Sequence, residues 1–349
     1  MELFFRSIRR LLLIIEWMLS VVWVAVSKLL PFWKVKPVVE IFNAVQFPHE
    51  GKCGAWIYGR VLSERKLVPP KPEDSSWVNF KRMSSQWFTR EVPKTGVTVT
   101  IGSEKHHVRS DEEGYFEVLA DDVSGAYQVS LDSYPYEAEF HCTGSGNVPE
   151  LVIISDVDDT LLETGAVSLG KMLKTTLLGN SLTRELVPGM AELINRLHAD
   201  SANPIFYVTS SPWNLHGFLG RVFSRARLPK GGIFMTDWGL TPKQWLTPSH
   251  DVHKGAAIRR ISGWFEESEF ILFGDDSQKD HIIYAEFIRA NPDKVKAAFI
   301  RSVSGETQKQ AVQQMMDEVN ASLKRKILHL VSTAEEIEDI LINYLEKEL

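Results

Sequence analysis

Between about residues 45 and 148, short runs of alternating apolar and polar residues recur. Ala55 to Leu62, Gly96 to Ile101, Gly114 to Leu119 and Tyr127 to Leu131 are each bounded by Gly, Pro, Asp or Ser. Period-two alternation between such breakers predicts strands with one buried face. Val108 to Val118 places an acidic turn and Gly114 between two strand-like runs, the pattern of a hairpin. After Gly144-Ser145-Gly146-Asn147 the texture changes. Continuous apolar, β-branched runs at Leu151 to Ser155, Pro204 to Thr209, Gly232 to Met235, Phe270 to Phe273 and Lys296 to Ile300 alternate with helical periodicity, as at Pro188 to His198 and Lys254 to Ile261. Such runs are strands covered on both faces. Their alternation with helices predicts an α/β fold with a doubly wound parallel sheet. Thr333 and Glu336 have the spacing of a capping box, ahead of a C-terminal helix reaching Leu349.

Leu11 to Leu30 carries a third pattern. Only Glu16, Ser20, Ser27 and Lys28 are polar there. A helix of this length spans roughly 30 Å, about the hydrocarbon thickness of a bilayer. At about 100° per residue, Arg9, Glu16, Ser20 and Ser27 share one narrow stripe, which equally fits a helix lying in the headgroup layer. Arg6, Arg9 and Arg10 precede the run and Lys28, Lys34 and Lys36 follow it, so the basic residues give no orientation. The expected organisation is a membrane-seeking apolar helix over 1–36, a β-rich accessory part over 45–148 and a catalytic part over 149–349. Membrane association with the catalytic part on the cytoplasmic side is expected.

The chain has 349 residues, enough for two ordinary domains. Its formal net charge of -6 argues against a chain that lives on nucleic acid, and no nucleic-acid partner is expected. Cys53 and Cys142 show neither metal-ligand spacing nor a disulfide framework. Reduced thiols are the default, although both fall in the β-rich part and a single bridge is conceivable.

The chemistry sits in four polar clusters. In a parallel sheet the ligand site lies at the carboxyl ends of the strands. Asp156-Val157-Asp158-Asp159-Thr160 follows Leu151 to Ser155 directly. Clustered carboxylates at a strand end are costly unless a cation compensates them, and a hard divalent ion with oxygen ligands is the natural candidate. Asp156 can attack phosphorus, and Asp158 can protonate the leaving alkoxide and then activate water. Thr209-Ser210-Ser211-Pro212-Trp213-Asn214-Leu215 supplies hydroxyls for a phosphate oxygen, or else an ordinary helix cap. Lys254, at the start of a helical pattern, could neutralise Asp156. Gly274-Asp275-Asp276-Ser277-Gln278-Lys279-Asp280 combines a glycine for a tight turn with acids that can complete a magnesium shell. His250 and His253 lack a zinc spacing; they could contact substrate, although a structural role is the commoner one.

These four phrases, in this order, resemble the haloacid dehalogenase superfamily. More narrowly, Ser155 to Thr160, Tyr207 to Leu215, His253-Lys254 and Gly274-Asp275-x-x-Gln278-x-Asp280-x-x-x-Tyr284 look like the phosphatidate phosphatases associated with fungal actin patches and their bacterial relatives. Gly59-Arg60-Val61-Leu62 and Asp111 to Phe116 fit that family's β-rich part, and the latter also resembles transthyretin-like β-sandwich modules. The resemblance implies Asp156 as nucleophile and magnesium ligand, and Asp158 as acid/base and ligand through its carbonyl. It implies Thr209 or Ser210 as the phosphate-binding hydroxyl and Lys254 as charge clamp. Asp275 would be the third magnesium ligand, with Asp280 in support. Asp276, Ser277, His281 and Ile282 depart from the family's usual Ser, Gly, Pro and Glu, which puts that loop's backbone shape in question.

The interval between Thr160 and Thr209 has room for a small flap over the site and no full lid. An open site suits a large or membrane-bound phosphomonoester, and the apolar N-terminus tilts the expectation toward phosphatidate. Trp213, Trp238 and Trp245 lie near the predicted site loops and could meet a membrane interface, although core packing is a tryptophan's commoner fate. Two other functions stay open: a phosphatase for another phosphomonoester, soluble or on a protein, and a membrane adaptor whose catalytic half is a relic and whose β-rich part binds an unknown protein.

Overall fold

The computed structural model describes residues 36–64, 91–121, 125–144, 146–163, 184–199, 202–236, 250–323 and 325–348, with short pieces at 71, 73–75, 77–79 and 81. The run Leu11 to Leu30 lies outside them. Among the described residues no helix is long and apolar enough to cross a membrane.

The first half is built from strands β1 (Pro37–His49), β2 (Lys52–Ser63), β3 (Gly96–Ile101), β4 (Glu104–Arg109), β5 (Tyr115–Ala120), β6 (Ala126–Leu131), β7 (Glu137–His141) and β8 (Thr143–Gly144). Among the described residues they form two sheets, ordered β5-β2-β1-β8 and β4-β3-β6-β7. Val39, Ala55, Ile57 and Val61 of the first meet Val97, Val99, Tyr127 and Val129 of the second in one core, so the two sheets make a sandwich. Residues of β2 with the opposite parity, Trp56 and Tyr58, face the second half of the molecule. The hairpin β1–β2 is therefore covered on both sides, and the run Gly54 to Ile57 is buried without a break.

The sequence differs from this arrangement at two places. β1 begins at Pro37, ahead of residue 45, and pairs with β2 along its whole length. Val108 to Val118 is no hairpin: β4 pairs with β3, whereas β5 pairs with β2 in the other sheet. The acidic link is an Asx turn that carries the chain from sheet to sheet. Asp111 Oδ1 accepts from the N–H groups of Glu113 and Tyr115 at 2.8 and 2.9 Å. Gly114 adopts φ 86°, and its carbonyl accepts from Val61 N at 2.8 Å. Cys53 and Cys142 are free thiols.

The second half is a parallel sheet of β9 (Leu151–Ser155), β10 (Ile205–Pro212), β11 (Gly232–Thr236), β12 (Glu269–Asp275), β13 (Val295–Arg301) and β14 (Leu328–Val331). Their order is β11-β10-β9-β12-β13-β14. Among the described residues its helices are α1 (Met190–His198), α2 (His216–Arg225), α3 (His250–Trp264), α4 (Asp280–Ala290), α5 (Glu306–Leu323) and α6 (Ala334–Glu348). Strand residues alternate between two cores. Ile153, Tyr207, Ile271 and Phe299 pack with α1, α2 and α6. Val152, Ile154, Phe206 and Leu272 pack with α3, α4 and α5. This is the doubly wound arrangement that the continuous apolar runs imply. β14 escaped the pattern because its Leu-His-Leu-Val is too short to stand out. At α6, Thr333 Oγ1 accepts from Glu336 N at 3.4 Å, while the Glu336 carboxylate reaches back to Ser332 N at 2.7 Å.

Aromatic contacts join the halves. Phe42 stacks on Trp213 at 4.7 Å, Trp56 on Phe234 at 5.0 Å and Phe47 on Trp264 at 4.8 Å. Asn43 donates to Ile233 O at 2.7 Å and accepts from Ile233 N at 2.6 Å. Trp213 is thus core, not a membrane contact, while Trp238 and Trp245 lie outside the described residues.

Candidate active site

The strand order creates the site. β9 is flanked by β10 on one side and β12 on the other, so successive connections leave it in opposite directions. A crevice opens at the carboxyl ends of such strands. Asp156 and Asp158 follow β9, Thr209 to Ser211 close β10, and Asp275 ends β12. The second turn of α3 delivers Lys254, and Asp280 starts α4.

Lys254 holds this crevice together. Its ammonium donates to Asp156 Oδ1 at 2.7 Å and to Asp280 Oδ1 at 2.6 Å, and it is only 3% exposed. Burial alone would lower its pKa, but Asp156, Asp280 and Asp275 outweigh that and hold it raised. Burial pushes Asp156 well above the usual carboxylate range against the pull of Lys254, with Asp280 and Asp275 adding to the rise. Thr160 donates to Asp156 Oδ2 at 3.2 Å.

Asp158 is turned the other way. Its Oδ2 accepts from Thr209 Oγ1 at 3.1 Å and from Ser211 Oγ at 3.2 Å. Burial raises its pKa and the Thr209 hydrogen bond restrains the rise. Asp159, the next residue, sits at φ 57°, and its carbonyl accepts from Arg301 at 2.8 Å. Asp156 and Asp158, two positions apart on one loop, thus face different partners.

Gly274 precedes Asp275 within β12. A Cβ there would lie 2.7 Å from Asp280 Cβ and 2.9 Å from the Tyr284 ring. The glycine makes room for the close approach of α4, a different duty from the tight turn expected of it. Asp275 Oδ1 is occupied by the N–H groups of Ser277 and Gln278 at 2.6 and 3.1 Å. Its Oδ2 is buried without a hydrogen-bond partner. Asp156, Asp275 and Asp280 each offer a carboxylate oxygen within 4.8 Å of the others. An orphaned buried carboxylate oxygen amid an all-oxygen donor set fits a hard divalent cation. Burial and the neighbouring Asp280 push Asp275 up to about 7.

The two rival hydroxyls are placed differently. Thr209 is fully buried against Asp158, whereas Ser210 donates to Gln278 Oε1 at 3.4 Å at the mouth. Ser211 and Thr160 were present in the sequence phrases but without a role, because a hydroxyl's partner depends on how separate loops meet. Asp276, which put the loop shape in question, binds the N–H groups of Val303 and Ser304 at 2.7 and 2.8 Å and ties the end of β12 to that of β13. His281 is buried on α4. The side chain of His250 and most of the insertion after Thr160 lie outside the described residues. The described ends of that insertion pair with each other, Glu163 N to Glu185 O at 3.0 Å and Val187 N to Leu161 O at 2.9 Å.

Residues 151–302 match the family described as phosphatidate phosphatase APP1, catalytic domain. An uncharacterized protein of Schizosaccharomyces pombe, C29B5.04c, is 24% identical over 212 residues, which cover 56% of this chain and 34% of the relative. The chain therefore spans about a third of that relative's length. Among solved structures, a class C acid phosphatase from Bacillus anthracis with tungstate bound is 17% identical, with a TM-score of 0.31 over 54% of this chain and 69% of the other. A carbohydrate acetylesterase from Xanthomonas citri is 10% identical, with a TM-score of 0.27 over 82% and 75%.

Proposed function

We propose that this chain, whose residues 151–302 match the phosphatidate phosphatase catalytic-domain family, hydrolyses phosphatidate to diacylglycerol and phosphate through an aspartyl-phosphate at Asp156. The catalytic half is a phosphatase. The observation that carries the mechanism is Lys254, which grips Asp156 while Asp158 is held apart by Thr209 and Ser211.

In the first half-reaction a carboxylate oxygen of Asp156 bonds to phosphorus as the ester oxygen leaves, and Asp158 gives that oxygen its proton. In the second, water attacks phosphorus, Asp158 takes its proton, and the Asp156–phosphorus link breaks to release phosphate. Lys254 favours the anionic form of Asp156 and holds the carboxylate in register. Ser210, nearer the mouth, is the better-placed phosphate ligand, and Thr209 serves by orienting Asp158. Asp156, Asp275 and Asp280, with the Asp158 carbonyl, would hold magnesium. When bound, the ion would offset the negative charge of the phosphoryl oxygens.

The lipid substrate is supported by the family and by the apolar run Leu11 to Leu30, which would keep the site at a bilayer. Membrane attachment and a cytoplasmic catalytic half belong to the same proposal. The satisfied network around Asp158 and the charged clamp at Asp156 speak against a relic, since a site without a task has no reason to keep buried charge.

The test is phosphate release from phosphatidate in mixed micelles with Mg2+, with p-nitrophenyl phosphate and a sugar phosphate in parallel. Release from the lipid, abolished in Asp156→Asn, is expected. Release from soluble esters alone would retain the mechanism and remove the lipid. No release from any substrate would overturn the proposal.

A further inference from the structure

Thr209, Ser210 and Ser211 are not held by the sheet. β10 pairs with β9 only as far as Tyr207, opposite Ser155. On its other side the ladder with β11 runs to Val208 and resumes at Pro212. The three hydroxyl residues therefore lie where strand pairing is interrupted on both sides, and something else must fix them.

Besides their own bonds to Asp158 and Gln278, an anchor comes from the accessory half, through the residues that follow them. A one-turn 3-10 helix, Trp213–Leu215, follows directly. Trp213 stacks on Phe42 of β1. Asn214 Oδ1 accepts from Arg60 Nη1 at 3.3 Å. Arg60 lies on the face of β2 turned toward the catalytic half, and it is 4% exposed. Its Nε donates to Glu113 O at 2.7 Å and its Nη2 to Glu91 at 3.1 Å, while its guanidinium lies 4.3 Å from the Tyr115 ring centre. A buried guanidinium is costly unless its fork is satisfied, and satisfying it makes the group rigid. Two arms are anchored at Glu113 and Glu91, and the third reaches Asn214, three residues beyond Ser211.

We infer that Arg60 is a positioning residue of the phosphatase reaction: through Asn214 it fixes the unpaired segment Thr209 to Ser211, and with it the orientation of the Asp158 carboxylate toward the leaving group. This rests on the assignment of Asp158 as the proton donor. It makes the accessory sandwich part of the catalytic apparatus.

The full-length chain with Mg2+ provides the test, with two esters that differ in leaving group. A phenyl phosphate needs protonation of its leaving oxygen and p-nitrophenyl phosphate hardly does. In Arg60→Met, kcat/KM, which reports the first half-reaction, should fall about tenfold on phenyl phosphate and less than about threefold on p-nitrophenyl phosphate. Asn214→Leu should reproduce this split, and Asn214→Asp, which keeps the acceptor, should retain turnover. The double variant should be no worse than Arg60→Met. Should Arg60→Met fail to fold, Asn214→Leu carries the test, because it leaves Arg60 bound to Glu113 and Glu91. Arg260→Met is the control: Arg260 bonds to Glu117 and covers Trp56 at 4.7 Å in the same interface, away from the 209–215 segment. Equal losses of kcat/KM on both esters, an equal loss in Arg260→Met, or an unchanged kcat/KM would overturn the inference. A wild-type chain that releases phosphate neither from these esters nor from phosphatidate would overturn the phosphatase mechanism itself, and this inference with it.

Discussion

The Lys254 ammonium donates to Asp156 Oδ1 at 2.7 Å, and both groups are almost wholly withdrawn from water. Breaking a buried pair by removing one partner leaves the other charge uncompensated. Lys254→Met should therefore destabilise the cation-free protein by about 3–5 kcal/mol, read by urea denaturation, and abolish turnover. Added Mg2+ should recover part of the stability and none of the activity. A variant as stable as wild type without a cation would mean that the carboxylates are compensated elsewhere.

Proton release should accompany cation binding. Asp275 is pushed up to about 7 in the fold, from an ordinary value of 3.8. A carboxyl raised in this way contributes stability that is fully present below the unfolded value and is lost as pH rises through the folded one. The cation-free protein should thus lose stability between pH 4 and about 7 from this group, and Mg2+ should bind more tightly over the same interval, since it takes the carboxylate. Calorimetric titration in two buffers of different ionisation enthalpy would show the released proton. Equal heats in both would refute the link.

The two rival hydroxyls should separate kinetically. Thr209→Val removes a hydrogen bond that favours ionised Asp158, so its carboxyl should rise further and kcat should fall, by about tenfold. Ser210→Ala should chiefly raise KM for the phosphate ester. Steady-state kinetics on one soluble ester decides the matter, and the opposite assignment would exchange the two roles.

Deletion of residues 1–36 should abolish co-sedimentation with phosphatidate-containing vesicles while leaving kcat on p-nitrophenyl phosphate within about twofold. Retained vesicle binding would move membrane contact to the folded part.

Much of the catalytic half was legible because a strand covered on both faces must be apolar throughout. Leu151 to Ser155 is such a run, and its bounds in the structure are the same. Acids directly after these strand ends marked a crevice, since the ligand site of a parallel sheet lies at the carboxyl ends of its strands. What could not be read was pairing between distant segments. β4 and β5 each look like strands, but nothing local says that they belong to different sheets. Ser211 gains its role only because Asp158, 53 positions away, turns toward it. Asp276 looked like a disturbed loop residue because its partners, Val303 and Ser304, lie beyond the next strand.

The carboxamide of Asn43 gives Ile233 one rung of β-pairing at a strand, β11, that ends the order of the parallel sheet. An open strand edge is a template for joining another chain. A fragment starting near residue 149 would lose that rung along with Phe42, Phe47 and Trp56, and would lay bare an adhesive margin beside Ile233 and Phe234. Such a fragment should associate edge to edge into insoluble material. The sandwich thus acts as a fixed guard on the catalytic sheet, and a lineage that shuffled the two halves apart would inherit an aggregating protein before it inherited an inactive one.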